Sequence, residues 1–277
     1  MTSLQIVFNE NEVSNFLERI EVKSSSNLSI DYLKNIVAGI IEHIPFQNVT
    51  MLTNEWKRPS EKMIKMDMLS GVGGLCTVRN PFLHEFLKHL GFNVYFVSST
   101  INEPDCHISL IVHVDGADWW IDVGNGFPYL EPIRLGDESI KSNWFMSYRL
   151  KFDHGRYYVC HKLKDRGWEI NHHFSNESVN YSIFDRMHHL HYSVPGWGPF
   201  LTGLRINRFW QEGAAVIRDE VGFSPTGWSD LNDIDKLRSW LSQWFKKSGF
   251  IENIDLESAN KIWKREQVRC KDENNNQ

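Results

Sequence analysis

The amino-acid sequence predicts an α+β fold with helices first, a mostly antiparallel β-region next and a helical end. Three observations predict it: apolar residues recur at helical spacing up to residue 90, the period then changes to two, and a helical stripe returns near the C-terminal end. The chain has 277 residues, of which 41% are hydrophobic. That is enough to bury a sizeable core in one large domain or in two to three smaller ones.

The N-terminal part of the chain shows helical spacing in three places. Apolar residues share one helix face from Val13 to Ile20 and again from Leu33 to Ile41. Because proline disfavours a helical residue before it, Pro45 is expected to end the second helix within a few residues. The spacing is helical again from Phe82 to Leu90, and Gly91 stands where a left-handed C-terminal cap is expected.

The middle of the chain alternates between apolar and polar residues. Asn93 to Thr100, His107 to Val114 and Asp118 to Val123 are predicted as strands, and Ser147 to His161 is expected to continue them. The segment from about Asn171 to Val221 is rich in His, Trp, Pro and Gly and receives no secondary-structure prediction.

The last part of the chain predicts one helix and a polar tail. Leu231-Asn232-Asp233 leads into a helix whose apolar stripe consists of Leu237, Trp240, Leu241, Trp244 and Phe245. Gly249 is expected to close this helix. The tail, Lys271 to Gln277, is polar and is predicted to be disordered.

Composition excludes several classes of function. A formal charge of −5 and a pI near 6.2 give no overall attraction to nucleic-acid phosphates or anionic membranes. The N-terminus lacks the pattern of a signal peptide, and no apolar stretch approaches the roughly 18 residues of a transmembrane helix. The four cysteines, Cys76, Cys106, Cys160 and Cys270, are scattered without a CxxC pair. We therefore expect a reduced, cytoplasmic protein without nucleic-acid or membrane partners.

One cysteine stands in a setting that suits nucleophilic chemistry. Cys76 ends a glycine-rich turn, Gly71 to Leu75, just ahead of a helical pattern, and His107 and Asp122 follow at the start and end of two neighbouring strands. A thiol attacks only as thiolate, so a nucleophilic cysteine needs a base beside it and a group that orients the base. Cys, His and Asp in this order are the minimum set for acyl transfer through a thioester. Taken singly, each is more often a structural residue.

The predicted hairpin brings two of these residues together. Asp115-Gly116 between two alternating runs is a strong signal for a two-residue loop. That register places His107 and Asp122 on the same face of the sheet as diagonal neighbours, about 7–8 Å apart at the backbone. Cys106 must then point to the opposite face.

Histidine-rich segments do not fit metal motifs. His84-Glu85-Phe86-Leu87-Lys88-His89 has one residue too many for a zinc protease, and its two histidines would lie about 140° apart on a helix. His188, His189 and His191 are close in sequence, but no cysteine or carboxylate pattern accompanies them. We expect no metal.

Beyond these residues, the sequence resembles the arylamine N-acetyltransferase family over most of its length. The family's Arg-Gly-Gly-aromatic-Cys-x-x-x-Asn segment is similar to Val72–Asn80, and its Asp-Val-Gly-Phe-Gly segment is similar to Asp122–Gly126. Further similar segments are His43–Asn48 at its Pro-Phe-x-Asn core, Phe16–Ile20, His107–Gly116 and the closing helix within Leu231–Phe250. Between about 143 and 226 the resemblance is faint.

The resemblance implies a mechanism. Cys76 would take an acetyl group from acetyl-CoA as a thioester, and an arylamine or hydrazine would then accept it in a ping-pong reaction. His107 would hold the thiol proton and later deprotonate the amine, while Asp122 would fix the imidazole ring and stabilise its charge. The family needs no metal.

The resemblance also implies an architecture and a substrate pocket. The fold would comprise a helical bundle (residues 1–91), a β-barrel (92–200) and a C-terminal α/β lid (201–277) around a cysteine-protease-like core. The pocket neighbours would be Asn125, Gly126, Phe127 and Phe46.

Four positions depart from the family pattern. Val72 and Gln47 replace an arginine and a glutamate that we suppose to be paired, so a single Val72→Arg substitution should leave a buried charge and destabilise the protein. Asn125 replaces a phenylalanine, which favours a more polar acceptor and predicts that Asn125→Phe improves turnover of simple anilines. Pro81 falls in the first turns expected for the Cys76 helix, which could begin at Asn80 instead.

Three other functions remain open at this point. An amide synthase or other acyltransferase would keep the thioester and use a different acyl donor. A cysteine hydrolase or transglutaminase-like enzyme would use the same three residues with water or another acceptor. A binding protein descended from an enzyme would explain the four departures, although the retained Cys, His and Asp argue against it.

Overall fold

A computed structural model describes residues 4–245 and 249–275 of the chain. The α-helices are α1 (Glu10–Arg19), α2 (Ile30–His43), α3 (Val49–Thr53), α4 (Glu61–Leu69), α5 (Cys76–Leu90), α6 (Asp185–Ser193), α7 (Ile234–Trp244) and α8 (Leu256–Asn275). The strands are β1 (Phe46–Gln47), β2 (Asn93–Thr100), β3 (His107–Val114), β4 (Ala117–Ile121), β5 (Ile133–Arg134), β6 (Lys141–Ser142), β7 (Met146–Asp153), β8 (Arg156–Leu163), β9 (Glu169–Phe174), β10 (Arg205–Trp210), β11 (Gly213–Arg218), β12 (Val221–Ser224) and β13 (Gly227–Asp230). Short 3₁₀ helices lie at Tyr181–Phe184 and Ile251–Asn253.

The N-terminal helices confirm the predicted apolar faces. α1 begins with a capping box, in which Asn9 and Glu12 satisfy each other's backbone N–H groups. The apolar faces of α1 and α2 are buried in the same core cluster. As predicted, α2 ends shortly before Pro45, and Gly91 caps α5 in the left-handed conformation with a φ of 100°.

An eight-stranded antiparallel sheet follows, with the strand order β5-β4-β3-β2-β9-β8-β7-β6. Strands β2 and β3 have the predicted bounds, and β7 and β8 cover the predicted continuation. Because β5 and β6 are edge strands, the sheet is a curled half-barrel rather than a closed barrel.

A second, five-stranded sheet has the order β1-β10-β11-β12-β13. β1 comes from the N-terminal part of the chain and pairs with β10 through Phe46↔Asn207 and Gln47↔Ile206. The helical region and the C-terminal region therefore share a sheet. The division at 1–91, 92–200 and 201–277 stays a prediction.

Two predictions about the C-terminal end were wrong. The tail from Lys271 was expected to be disordered, but α8 continues to Asn275, while residues 276–277 lie outside the described part. Once α8 is anchored by buried Ala259 and Trp263, each added residue gains a backbone hydrogen bond at little further entropic cost. α7 ends at Trp244 rather than at Gly249, and residues 246–248 are not described.

No helix within the two described ranges is both long enough and apolar enough to cross a lipid bilayer.

Candidate active site

The glycine-rich turn is held against β1. Gly73 has a φ of 74°, and a Cβ atom there would lie 2.0 Å from the carbonyl oxygen of Pro45, so only glycine fits. Gly74 forms a parallel bridge with Phe46 and donates its N–H to Pro45 O at 3.3 Å. The turn therefore fixes the start of α5 beside β1.

Cys76 is the first residue of α5, contrary to the prediction that Pro81 could delay the helix to Asn80. Pro81 lies inside the helix, where it lacks one N–H donor. The first two turns of α5 are buried on all sides, so tertiary packing overrides the local preference. As a result Cys76 lies at the positive end of the helix dipole, which favours a thiolate.

The predicted hairpin register is confirmed. Val114 pairs with Ala117, and the side chains of His107 and Asp122 meet on one face of the sheet. His107 Nε2 donates to Asp122 Oδ2 at 2.6 Å, and both side chains are at least 97% buried. The opposite face of β3, with Cys106, packs into the main core cluster, as predicted.

Cys76 also lies close enough to the His107 ring to affect its pKa. Since Asp122 occupies Nε2, the nitrogen left for Cys76 is Nδ1. Burial opposes a charged ring, but the charge and hydrogen bond of Asp122, together with Cys76, raise the pKa of His107 well above its ordinary value. Burial likewise opposes a charged Asp122, yet His107 and Asn80 lower the pKa of this carboxyl. The structure therefore favours an imidazolium–carboxylate pair next to the thiol.

Asn80 positions Asp122 and was not predicted as a site residue. Its Nδ2 donates to Asp122 Oδ1 at 2.8 Å and to Ile108 O at 2.6 Å, while its Oδ1 accepts from Val123 N at 3.1 Å. Asp122 Oδ1 accepts a further bond from Gly124 N at 2.9 Å. The sequence signal was the asparagine that ends the Val72–Asn80 motif.

A cavity of about 290 Å³ opens beside these residues. Cys76 and His107 line it, as do three of the four predicted pocket residues: Phe46, Asn125 and Phe127. The fourth predicted residue, Gly126, is not in the lining. It packs against the Phe46 ring, and its carbonyl accepts a hydrogen bond from Asn207 Nδ2 at 2.9 Å.

The two departures near the turn are both buried. Gln47 donates from Nε2 to Gly73 O at 3.3 Å and to Thr50 Oγ1 at 3.0 Å. Val72 packs in an apolar cluster with Phe46. An amide and an apolar side chain thus fill the position where we supposed an ion pair.

Among the described residues, one group could offer metal ligands: His107, Asp122 and His172, whose ligand atoms lie within 4.8 Å of one another. Coordination would have to break the 2.6 Å bond between His107 and Asp122. The set therefore fits a hydrogen-bonded pair better than a metal centre. His188 and His191 are buried on α6, and His191 lines the cavity, which sequence reasoning missed.

Comparisons with known proteins bear on the family to which this chain belongs. A family model described as N-acetyltransferase matches residues 29–224. The uncharacterized acetyltransferase YvcN of Bacillus subtilis is 25% identical over 205 residues, which is 70% of this chain and 80% of that protein.

Solved structures share the fold. The arylamine N-acetyltransferase from Salmonella typhimurium superposes with a TM-score of 0.79 at 18% identity, covering 92% of this chain and 98% of that one. The arylamine N-acetyltransferase of Mycobacterium marinum in complex with CoA gives 0.76 at 17% identity, covering 91% and 98%. Since the family model spans well over half of the sequence, the chain belongs to the arylamine N-acetyltransferase family.

Proposed function

We propose that this protein transfers an acetyl group from acetyl-CoA to an arylamine or hydrazine through a thioester on Cys76. The observation that carries the proposal is the His107 ring, which is hydrogen-bonded to Asp122 and lies with Cys76 at the wall of one cavity. The CoA bound by the Mycobacterium marinum relative supports the choice of donor.

In the first half-reaction, Cys76 attacks the acetyl carbonyl carbon as a thiolate. His107 holds the thiol proton, and Asp122 stabilises the resulting imidazolium. The bond between the acetyl carbon and the coenzyme sulfur breaks, His107 gives its proton to that sulfur, and free CoA leaves. The acetyl group remains on Cys76.

In the second half-reaction, His107 is neutral and acts as the base. The amine nitrogen attacks the thioester carbon, the bond to Cys76 breaks, and His107 takes a proton from the nitrogen. The products are the acetylated amine and the original thiolate–imidazolium pair. Because His107 acts in both half-reactions, its orientation by Asp122 affects the rates of both.

The residues that line the cavity select the amine that accepts the acetyl group. Phe46 and Phe127 supply aromatic surface for a flat ring, while Asn125 supplies a polar side chain close to His107. A reduced, cytoplasmic setting without a metal, nucleic-acid or membrane partner remains our prediction from composition.

Intact and peptide mass spectrometry after mixing with acetyl-CoA tests the proposal, with Cys76→Ala as the control. We expect one acetyl group on Cys76, none on the variant, and loss of the group when an arylamine or hydrazine is added. Labelling only by another acyl donor would favour an amide synthase or related acyltransferase. Hydrolysis of acyl donors without CoA would favour a cysteine hydrolase, and an inert thiol would favour a binding protein.

A further inference from the structure

His191 lies in the wall of the cavity that Cys76 opens into. It is on α6, with 9% of its surface exposed, and its ring packs edge-on against Trp197 at 4.5 Å between centroids. The loop after α6 thus holds the ring in place. None of the steps proposed above uses this histidine.

The ring carries an unused lone pair. Burial lowers the pKa of the His191 ring to about 4, although the Cys106 backbone favours the charged form, so the ring is neutral at pH 7 and one of its two nitrogens is an acceptor. Its Nδ1 has no hydrogen-bond partner among the described residues. His188, one turn earlier on α6, differs: its two nitrogens face Phe184 O at 2.8 Å and Tyr181 Oη at 3.3 Å.

Asn125 presents a second unused acceptor in the same lining. Its Nδ2 donates to Asn171 Oδ1 at 2.9 Å. Asn171 Oδ1 also meets His172 Nδ1 at 2.7 Å; with His172 donating there, Asn125 faces Asn171 Oδ1 with Nδ2 and keeps Oδ1 as its acceptor. Asn125 Oδ1 is buried and has no partner among the described residues.

Buried polar atoms without partners are rare in folded proteins and call for an explanation. Here two of them belong to residues that line the cavity beside Cys76, and with the His191 proton on Nε2 both are acceptors. We propose that His191 Nδ1 and Asn125 Oδ1 accept hydrogen bonds from the amine that takes the acetyl group. This site would then select amines that bear a second N–H or O–H group. The inference rests on the proposed acetyl transfer and adds His191 as a specificity-determining residue.

Matched pairs of amines test whether the site prefers a second hydrogen-bond donor. Ortho-, meta- and para-aminophenol are each compared with the corresponding methoxyaniline, which keeps the ring and the amine but loses the O–H donor. For each pair, the rate at which the amine removes acetyl from Cys76 is measured in single turnover. We expect at least one aminophenol to react about tenfold faster than its methoxy partner, the usual effect of one or two hydrogen bonds.

Variants on α6 assign that preference to His191. His191→Phe should abolish the preference, whereas His191→Gln, which keeps one donor and one acceptor, should restore part of it. His188→Phe removes a buried histidine of the same helix that does not line the cavity, and it should leave both the preference and the acetylation of Cys76 by acetyl-CoA unchanged.

The same pairs separate this inference from the proposed function. Their binding to the Cys76→Ala variant, measured by calorimetry, needs no acetyl donor. If acetyl-CoA fails to label the wild type, the transfer is refuted, and a His191-dependent preference in binding still supports the subsite. Equal binding and turnover of every pair, or a preference that His188→Phe removes as completely as His191→Phe, would overturn the inference.

Discussion

Asp122→Asn should disable His107, the proposed general base, by reversing its tautomer. Two donors, Asn80 Nδ2 and Gly124 N, point at the Oδ1 position of Asp122. In the variant the carbonyl oxygen must stay there, so the amide nitrogen takes the Oδ2 position and donates to His107 Nε2. The ring proton then moves to Nδ1, facing Cys76, and the ring cannot accept the thiol proton.

The expected loss is large. A reversed tautomer in a triad with intact geometry lowers the rate by about 10⁴-fold, or about 5.5 kcal/mol in the activation barrier. The assay is the rate of acetylation of Cys76 by acetyl-CoA, followed by intact mass. A second readout is alkylation of the same thiol by iodoacetamide, which should slow as well because the thiolate loses its imidazolium partner.

The same hairpin offers a matched control. Asp118 on β4 contacts His113 Nδ1 at 2.8 Å on the same face of the sheet, at its more exposed hairpin end. Asp118→Asn alters a similar pair of side chains without touching the thiol, and it should leave both rates within about twofold. If Asp122→Asn acetylates Cys76 within tenfold of the wild type, the tautomer argument is refuted.

Three further outcomes are expected. Val72→Arg should lower the free energy of unfolding by about 3–5 kcal/mol, because it buries an unpaired charge. A denaturation midpoint at or above that of the wild type would contradict the hypothesis that Val72 and Gln47 together replace an ion pair. Gly124→Ala would bring a Cβ atom within 2.6 Å of Cys76 Cα, so it should cost about 1–3 kcal/mol of stability and slow the acetylation of Cys76. An unchanged melting temperature and an unchanged rate of acetylation would rule out this close approach. The stability difference between wild type and Asp122→Asn should be greatest between pH 3.8 and 6.5, the ordinary pKa values of Asp and His. Above pH 6.5 the stability difference is lost as pH rises towards the raised pKa of His107. Below pH 3.8 the difference is lost as pH falls through the lowered pKa of Asp122. Unfolding free energies from about pH 3 to pH 9 that differ by a constant amount between the two proteins would contradict the linkage.

The hairpin was predictable because its information is local. Asp115-Gly116 sets the loop, the loop sets the register, and a period of two then decides which side chains share a face. This chain of inference brought His107 to Asp122 without any tertiary knowledge. The contact of His107 with Cys76 could not be derived in this way, since it depends on how α5 packs against β3.

The acceptor side of the site was beyond local inference. His191 and Asn171 come from the segment in which neither periodicity nor family resemblance gave a signal. They reach the cavity only because β9 pairs with β2 and α6 packs over the sheet. Gly126 was predicted from its place beside Asn125; it lies behind the lining residue Phe46, and its carbonyl oxygen accepts a hydrogen bond from Asn207.

Arg79 shows why the support of the site could not be deduced from residue type. A charged side chain that is 98% buried contradicts the usual rule, and burial lowers the pKa of this guanidinium to about 9. Its donors bind the carbonyls of Ile40 and Ile44, at the C-terminal end of α2, and the carbonyl of Val123. The negative end of the α2 dipole therefore compensates the charge, and the nearby Asp122 carboxylate adds to this compensation. Arg79 ties α2 to the backbone just after Asp122, while its neighbour Asn80 holds the Asp122 carboxylate itself. Two consecutive residues of α5, three and four positions after Cys76, thus help to set the distance between the Cys76 thiol and the Asp122 carboxylate. The need for these two residues becomes clear only when α2, α5 and the backbone after Asp122 are seen packed together.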